Sequence, residues 1–141
     1  MRVVVAPDSF KGSLTAPEAA AAIARGVARA APDAVAVQRP MADGGEGTLD
    51  AVMRAAGDGA IRGTLDVEGA DGARIAAGYG IVERDGEPVA VLEAAQVVAI
   101  TDAAGMSVDV TSRSTRGLGQ QIRALLDRGL RGPRGPVGTL A

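Results

Sequence analysis

The amino-acid sequence predicts an α/β fold, an open parallel-sheet unit joined to an antiparallel β-meander lobe. Three observations carry this. The first 59 residues run strand, loop, helix, strand, loop, helix. Both polar loops follow predicted strands, and in an open parallel sheet such loops meet at the carboxyl edge, where ligands bind. After Gly59 the pattern changes to strands separated by Asp-Gly turn signals, as in a meander.

The elements follow in chain order. Val3 to Ala6 is a short apolar strand that Pro7 stops. Thr15-Ala16-Pro17-Glu18 fits a capping box, with Thr15 as N-cap, Glu18 three residues on and Pro17 in the first turn. Ala19, Ile23, Val27 and Ala31 then recur at spacing four beside other alanines, giving a helix with a shallow face suited to close packing on a sheet. Ala34 to Val37 is the second strand. Leu49, Val52, Met53 and Ala56 mark a second helix, with Gly57 or Gly59 near its end. Ile61 to Val67, Ile75 to Val82 and Val89 to Leu92 read as strands, with turns at Asp71-Gly72 and Asp85-Gly86. Val97 to Ile100 fits helix or strand equally. Thr101 to Ser114 is polar and rich in hydroxyls. A third helix starts near Thr115, with Ile122, Leu125 and Leu126 on its apolar face and Gly129 as its stop. The expected segments are 1–59, the α/β unit with two ligand loops; 60–93, the meander; 94–131, the continuation with the third helix; and 132–141, a Gly/Pro tail that cannot be a central strand.

Composition narrows the chemistry. The chain has 141 residues, no Cys, no His, no Trp and a net charge of -2. A disulfide scaffold, a thiolate zinc site, a cysteine nucleophile and a histidine base are therefore excluded within it. Charges are interspersed, so no nucleic-acid footprint is expected. No apolar run reaches the length of a membrane span, and the opening resembles a buried strand more than a signal peptide. The expected location is cytoplasmic.

The loops hold the candidate chemistry. Asp8, Ser9, Lys11 and Ser13 lie between a strand and a capped helix, and Lys11 is the only lysine. A helix N-terminus with a nearby ammonium attracts anions, and Asp8 can orient a hydroxyl, take its proton or hold a divalent ion. Asp43-Gly44-Gly45-Glu46-Gly47 allows positive φ, close backbone approach and an amide nest for anions. Its two carboxylates make Asp43 or Glu46 a candidate metal ligand. Phosphoryl transfer needs both features. Neither a P-loop nor a dinucleotide fingerprint is present, which disfavours P-loop kinases and dinucleotide dehydrogenases. Ser114 to Gln120 places hydroxyls and Arg116 at a glycine-bearing helix start, where a carboxylate or phosphate could sit; Gly117 and Gly119 there suggest close approach of backbone to another backbone or a ligand. Glu93 ends a strand as a site carboxylate or an edge charge.

At these residues the sequence resembles the ATP-dependent glycerate kinases of the bacterial D-glycerate type. Val3-Val4-Val5-Ala6-Pro7-Asp8-Ser9-Phe10-Lys11-Gly12-Ser13 is nearly that family's opening, and Pro40 to Thr48, P-M-A-D-G-G-E-G-T, is its second signature. Glu93-Ala94-Ala95 resembles its E-x-A-A segment, and Thr115 to Ile122 its T-Y-G-T-G-E-L-I segment, with Arg116 replacing the aromatic and Gln120 the Glu. The resemblance covers residues 1 to 131. It implies a flavodoxin-like, Rossmann-like α/β domain joined to a second α/β domain with the active site between them. It implies transfer of phosphate from ATP, with Mg²⁺, to a hydroxyl of D-glycerate, giving 2- or 3-phosphoglycerate. Carried over, Asp8, Lys11 and Asp43 are the catalytic candidates. Ser9, Ser13, Gly44, Gly45, Glu46, Gly47, Glu93, Thr115 and Gly117 are the substrate or phosphate contacts. Partners are then glycerate and nucleotide, with no nucleic acid and no membrane. The family continues past the third helix with a strand and a G-I-G-G-S-A-T-N-D-G-G-type motif. The chain therefore reads as an N-terminal part, incomplete against the two-domain fold, with self-association and loss of activity expected of it alone. A non-catalytic anion-binding or interaction domain, and a kinase for another small hydroxy acid, are the alternative readings.

Overall fold

The structure, a computed structural model, describes residues 1–98 and 109–130. Of the polar stretch Thr101 to Ser114, residues 101–108 lie outside the described residues, as does the whole Gly/Pro tail, 132–141. The chain divides into two compact units, Met1–Ala51 and Val52–Ala141.

In the first unit, β1 (Arg2–Val5) and β2 (Val35–Gln38) pair in parallel, in a register from Arg2↔Val35 to Val5↔Gln38. Helix α1 (Ala16–Ala30) makes the crossover between them, as a parallel pair requires. Its start is built as the sequence predicts. The Glu18 amide donates to Thr15 Oγ1 (3.4 Å), and Glu18 Oε2 accepts from the Thr15 amide (2.8 Å) and hydroxyl (2.7 Å). The buried face differs from the expected row. It runs through Ala19 and Ala20, while Ile23 stays 43% exposed. The alanine side of the helix is thus the one that approaches the strands, because small side chains permit the closer approach. Helix α2 (Thr48–Ala56) follows, and the division between the units falls within it.

In the second unit, β3 (Ile61–Glu68), β4 (Arg74–Arg84) and β5 (Glu87–Leu92) form an antiparallel meander. Its turns use the predicted residues. Asp85 and Gly86 both take positive φ, +55° and +82°, the signature of a two-residue hairpin that matches strand twist. The Asp71 carboxylate accepts from the Ala73 amide at 3.0 Å in the other turn. Beyond β5 a short 3-10 turn, Ala94–Gln96, leads into the ambiguous segment 97–100, of which residues 99 and 100 lie outside the described residues. Helix α3 (Arg116–Asp127) packs on the meander. The core holds Val67, Ala77 and Val97, with Leu65, Ile75 and Val98 against it.

Two glycines let α3 and the sheet fit. A Cβ on Gly117 would fall on the Glu68 carbonyl, and one on Gly63 would enter the Tyr79 ring, its cross-strand neighbour. Gln120 Oε1 accepts from the Glu68 amide at 2.9 Å, so the start of α3 is fixed to the last residue of β3. At the other end Arg128 donates to the Tyr79 hydroxyl at 3.0 Å.

Candidate functional site

The first unit brings the two motif loops side by side. The parallel register carries on past the strands, with the Arg39 amide donating to Val5 O (2.8 Å) and the Met41 amide to Pro7 O (3.0 Å). The loops holding Asp8 and Asp43 therefore leave the same carboxyl edge of one strand pair. That is where the topology places ligands in open parallel sheets.

Loop one is a tight turn. Phe10 and Leu14 exchange both backbone hydrogen bonds, at 2.8 and 3.1 Å, and Lys11 and Gly12 form the tip, with Gly12 at φ +78°. Lys11 is exposed, and among the described residues its ammonium makes no ion pair. Asp8 Oδ1 accepts from the Ser9 amide at 2.6 Å, which fixes one carboxylate oxygen and leaves the other. The Ser13 hydroxyl donates to the Phe10 carbonyl at 3.0 Å, so it serves the turn and keeps only acceptor capacity.

The expected anion seat at the α1 N-terminus is corrected here. Glu18 reaches back over that terminus and Pro17 has no amide to offer. The same capping box that starts the helix fills its N-terminal end with a carboxylate. Positive charge in loop one rests on Lys11 instead. Acceptance of two hydrogen bonds from Thr15, the backbone one foremost, holds the Glu18 carboxyl below its ordinary value.

Loop two is held by its own side chains. Gly44 and Gly47 lie at φ +100° and +87°. Asp43 Oδ1 accepts from the Gly45 amide at 3.0 Å, so one amide of the expected nest is occupied from within. Gly45 has ordinary φ, but a Cβ there would sit 3.1 Å from that same Asp43 oxygen. Thr48 Oγ1 donates to the Gly45 carbonyl at 2.8 Å and anchors the loop to α2. Thr48 is not among the predicted site residues; its hydroxyl donates back to a carbonyl three residues earlier rather than capping the helix amides. Asp43 and Glu46 are exposed. Among the described residues, no three acidic side chains gather closely enough to cage a metal by themselves. The donors present are hard carboxylate and hydroxyl oxygens, the set magnesium takes when phosphates supply the remainder.

Three candidates belong to the second unit. Glu93 is 5% exposed, at the point where β5 gives way to the 3-10 turn. Thr115 is the N-cap of α3 but makes no side-chain cap bond. Gly117 has the Glu68 carbonyl where a side chain would be, so the close approach it permits is to backbone. Arg116 faces Glu68 at 3.6 Å. Sequence reasoning also missed Gln96 and Gln121. Gln121 occupies the same helix row as Gly117 and Leu125, at spacing four, and that row is the buried one.

A family model described as the glycerate kinase family matches residues 3–132. The chain belongs to this family. It is 40% identical over 129 residues to "Glycerate 2-kinase" of Escherichia coli K12, covering 92% of this chain and 33% of that protein. It is 39% identical over 129 residues to "Glycerate kinase" of Halalkalibacterium halodurans, with 91% and 33% covered. A crystal structure of a protein described as glycerate kinase 2 from Salmonella typhimurium LT2 superposes with a TM-score of 0.66 at 34% identity, covering 96% of this chain and 37% of that one. The chain thus spans about a third of the length of the curated relatives it matches.

Proposed function

We propose that this chain carries two active-site loops of an ATP-dependent glycerate kinase, which transfers a phosphoryl group to a hydroxyl of D-glycerate and gives 2- or 3-phosphoglycerate. The observation that carries the reading is the adjacency of the two motif loops, fixed by the Met41 amide on Pro7 O at 3.0 Å. Lys11, exposed at a turn tip, supplies positive charge to the transferring phosphoryl oxygens. Asp8 and Asp43 each keep one oxygen outside the loop hydrogen bonds, and either can accept the proton that the glycerate hydroxyl loses as its oxygen bonds to phosphorus. Ser9, Ser13 and the backbone of Gly44, Gly45 and Gly47 lie against substrate or phosphate. Glu93 and Thr115 are the further substrate or phosphate contacts of this reading, while Gly117 serves the close approach of α3 to the Glu68 carbonyl. The carboxylates of Asp43 or Glu46 would hold Mg²⁺, which supplies charge neutralisation on the nucleotide phosphates.

Among the described residues no helix is long and apolar enough to cross a membrane; we take the cytoplasm, where nucleotide is available, as the site of action. Phosphoryl transfer needs two partners held in line at about 3 Å. The reading assigns one side of that cleft to these loops and expects no turnover from the 141 residues alone. The test is ADP release with D-glycerate, measured on this chain and on a protein of the relatives' full length that begins with it. Glycerate-dependent ADP from the long protein only is the expected result. Activity with other small hydroxy acids but not glycerate would sink the substrate assignment, and turnover by the short chain would sink the two-sided site.

A further inference from the structure

The β4–β5 ladder ends at Tyr79↔Leu92, and one more rung would pair Gly78 with Glu93. That rung is replaced. The Gly78 amide donates to Gln96 Oε1 at 2.8 Å, and the Gly78 carbonyl accepts from Gln121 Nε2 at 3.1 Å. A carboxamide offers a donor and an acceptor like those of a peptide group, so two glutamines can stand in for one strand residue. Glu93 is still extended, at φ -107° and ψ 104°, but its carbonyl starts the next turn by accepting from the Gln96 amide at 3.1 Å. Its side chain is buried.

Gln121 is a poor choice for stability alone. It is fully buried, and among the described residues its Oε1 has no hydrogen-bond partner. An unsatisfied buried acceptor destabilises, and a leucine would fill similar space without it. The amide's one use visible here is its bond to Gly78.

We propose that Gln96 and Gln121 are positioning residues for Glu93. By taking both backbone groups of Gly78 they end β5 at Leu92 and set Glu93 at the head of the turn as a substrate-facing carboxylate. The role of Glu93 rests on the glycerate reading above; the geometry of the replaced rung does not.

The experiment is NMR on the 141-residue chain and three variants, Gln96→Ala, Gln96→Glu and Gln121→Leu, with D-glycerate then titrated into a protein of the relatives' full length that begins with this chain and into the same variants of it. Gln96 is exposed, so its substitutions leave packing intact. In Gln96→Ala the Gly78 amide should exchange at least about tenfold faster, the size of one lost net hydrogen bond. The Glu93 backbone and carboxyl resonances should move in Gln96→Ala and Gln121→Leu. Gln96→Glu keeps an oxygen for the Gly78 amide and should restore the parent pattern. Glycerate affinity should fall at least about fivefold in Gln96→Ala, on the scale of a positioning hydrogen bond, and recover in Gln96→Glu. Faster Gly78 exchange with unmoved Glu93 resonances would overturn the proposal, since the glutamines would then only close a sheet edge. Glycerate that perturbs the loops of Asp8 and Asp43 equally in parent and Gln96→Ala would overturn the proposal and leave the functional reading standing. Glycerate that perturbs neither the loops nor Glu93 would overturn both.

Discussion

The two units solve different problems with the same small-residue vocabulary. In the first, the residues that do not pack are conspicuous. Val4 and Val35, on one face of the β1–β2 pair, are 67% and 59% exposed, and Phe10 and Met41 are exposed beside the loops. In the second, the sheet and α3 interlock through Gly117 on Glu68, Gln120 on the Glu68 amide and Arg128 on Tyr79. Chemistry-bearing side chains concentrate where packing is sparse, and packing contacts concentrate where few candidate groups lie. Loops that must meet a ligand cannot also be buried in their own core, so their order comes from local hydrogen bonds such as Asp43 on Gly45.

The sharpest way to break this contrast is Gly117→Val. Its side chain has no place beside the Glu68 carbonyl. A loss of about 3 kcal/mol or more is expected, at the upper end for overpacking against backbone that cannot yield. Urea unfolding followed by the fluorescence of Tyr79, the only tyrosine in a chain without Trp, reads the second unit directly. Hydrogen exchange in β1 and α1 should change far less. Equal destabilisation of both units would show that they unfold as one, and the contrast between them would not hold energetically.

Loop two offers the next largest effect. Gly44→Val forces a β-branched residue to φ +100°, a strain of about 1–3 kcal/mol that the loop relieves only by moving. Gly45→Val instead drives a side chain against Asp43 Oδ1. Both should lower glycerate kinase turnover in the full-length protein more than Glu46→Gln does, because Glu46 supplies no loop hydrogen bond seen here. Three equal, mild losses would make the loop an ordinary turn.

Lys11→Ala separates function from folding most cleanly. Turnover in the full-length protein should fall at least about tenfold if, as proposed, the ammonium acts on charge that develops in the transition state. The unfolding midpoint should barely move, because an exposed turn-tip side chain contributes little to stability. Unchanged turnover would return Lys11 to solvent.

Most of the fold was legible in the sequence because its signals are local. The capping box at Thr15 and Glu18, the Asp85-Gly86 turn and the apolar strand runs depend on neighbouring residues alone. The predicted strand Val89 to Leu92 and the observed Glu87–Leu92 differ only at one end, where the ladder extends toward the turn. What was not legible depends on residues far apart in sequence. Nothing near Gly117 tells whether its missing Cβ admits a ligand or the Glu68 carbonyl, 49 positions earlier. Gln121 reads as one polar residue in a helix until Gly78 is seen beside it. The loops read as a pair because both follow strands of one parallel unit, but how each is held depends on hydrogen bonds that the sequence does not announce. The occupied α1 N-terminus follows from the same box that predicted the helix: a carboxylate that caps cannot also leave the site free for an anion.

The smallest effect tests that point in solution. Because the Glu18 carboxylate accepts from the Thr15 amide and hydroxyl, its folded value lies below the ordinary 4.5. A lowered folded value means the native state favours the ionised form. The stabilisation is therefore complete above the unfolded value and is lost as pH falls through the folded one. Asp109, lowered by the Thr111 amide and hydroxyl, adds to the acid sensitivity in the same direction. A pH profile of the parent alone would mix the two. Glu18→Gln isolates the first, since an amide oxygen still accepts from Thr15 but carries no charge to titrate. Urea midpoints of parent and Glu18→Gln should differ at pH 7, with the parent more stable, and converge as pH drops below the glutamate range. A gap that persists unchanged at low pH would mean that the ionised carboxylate is not what occupies the start of α1. The cap would then act through its hydrogen bonds alone, and the charge of Glu18 would not be what turns an external anion away from loop one.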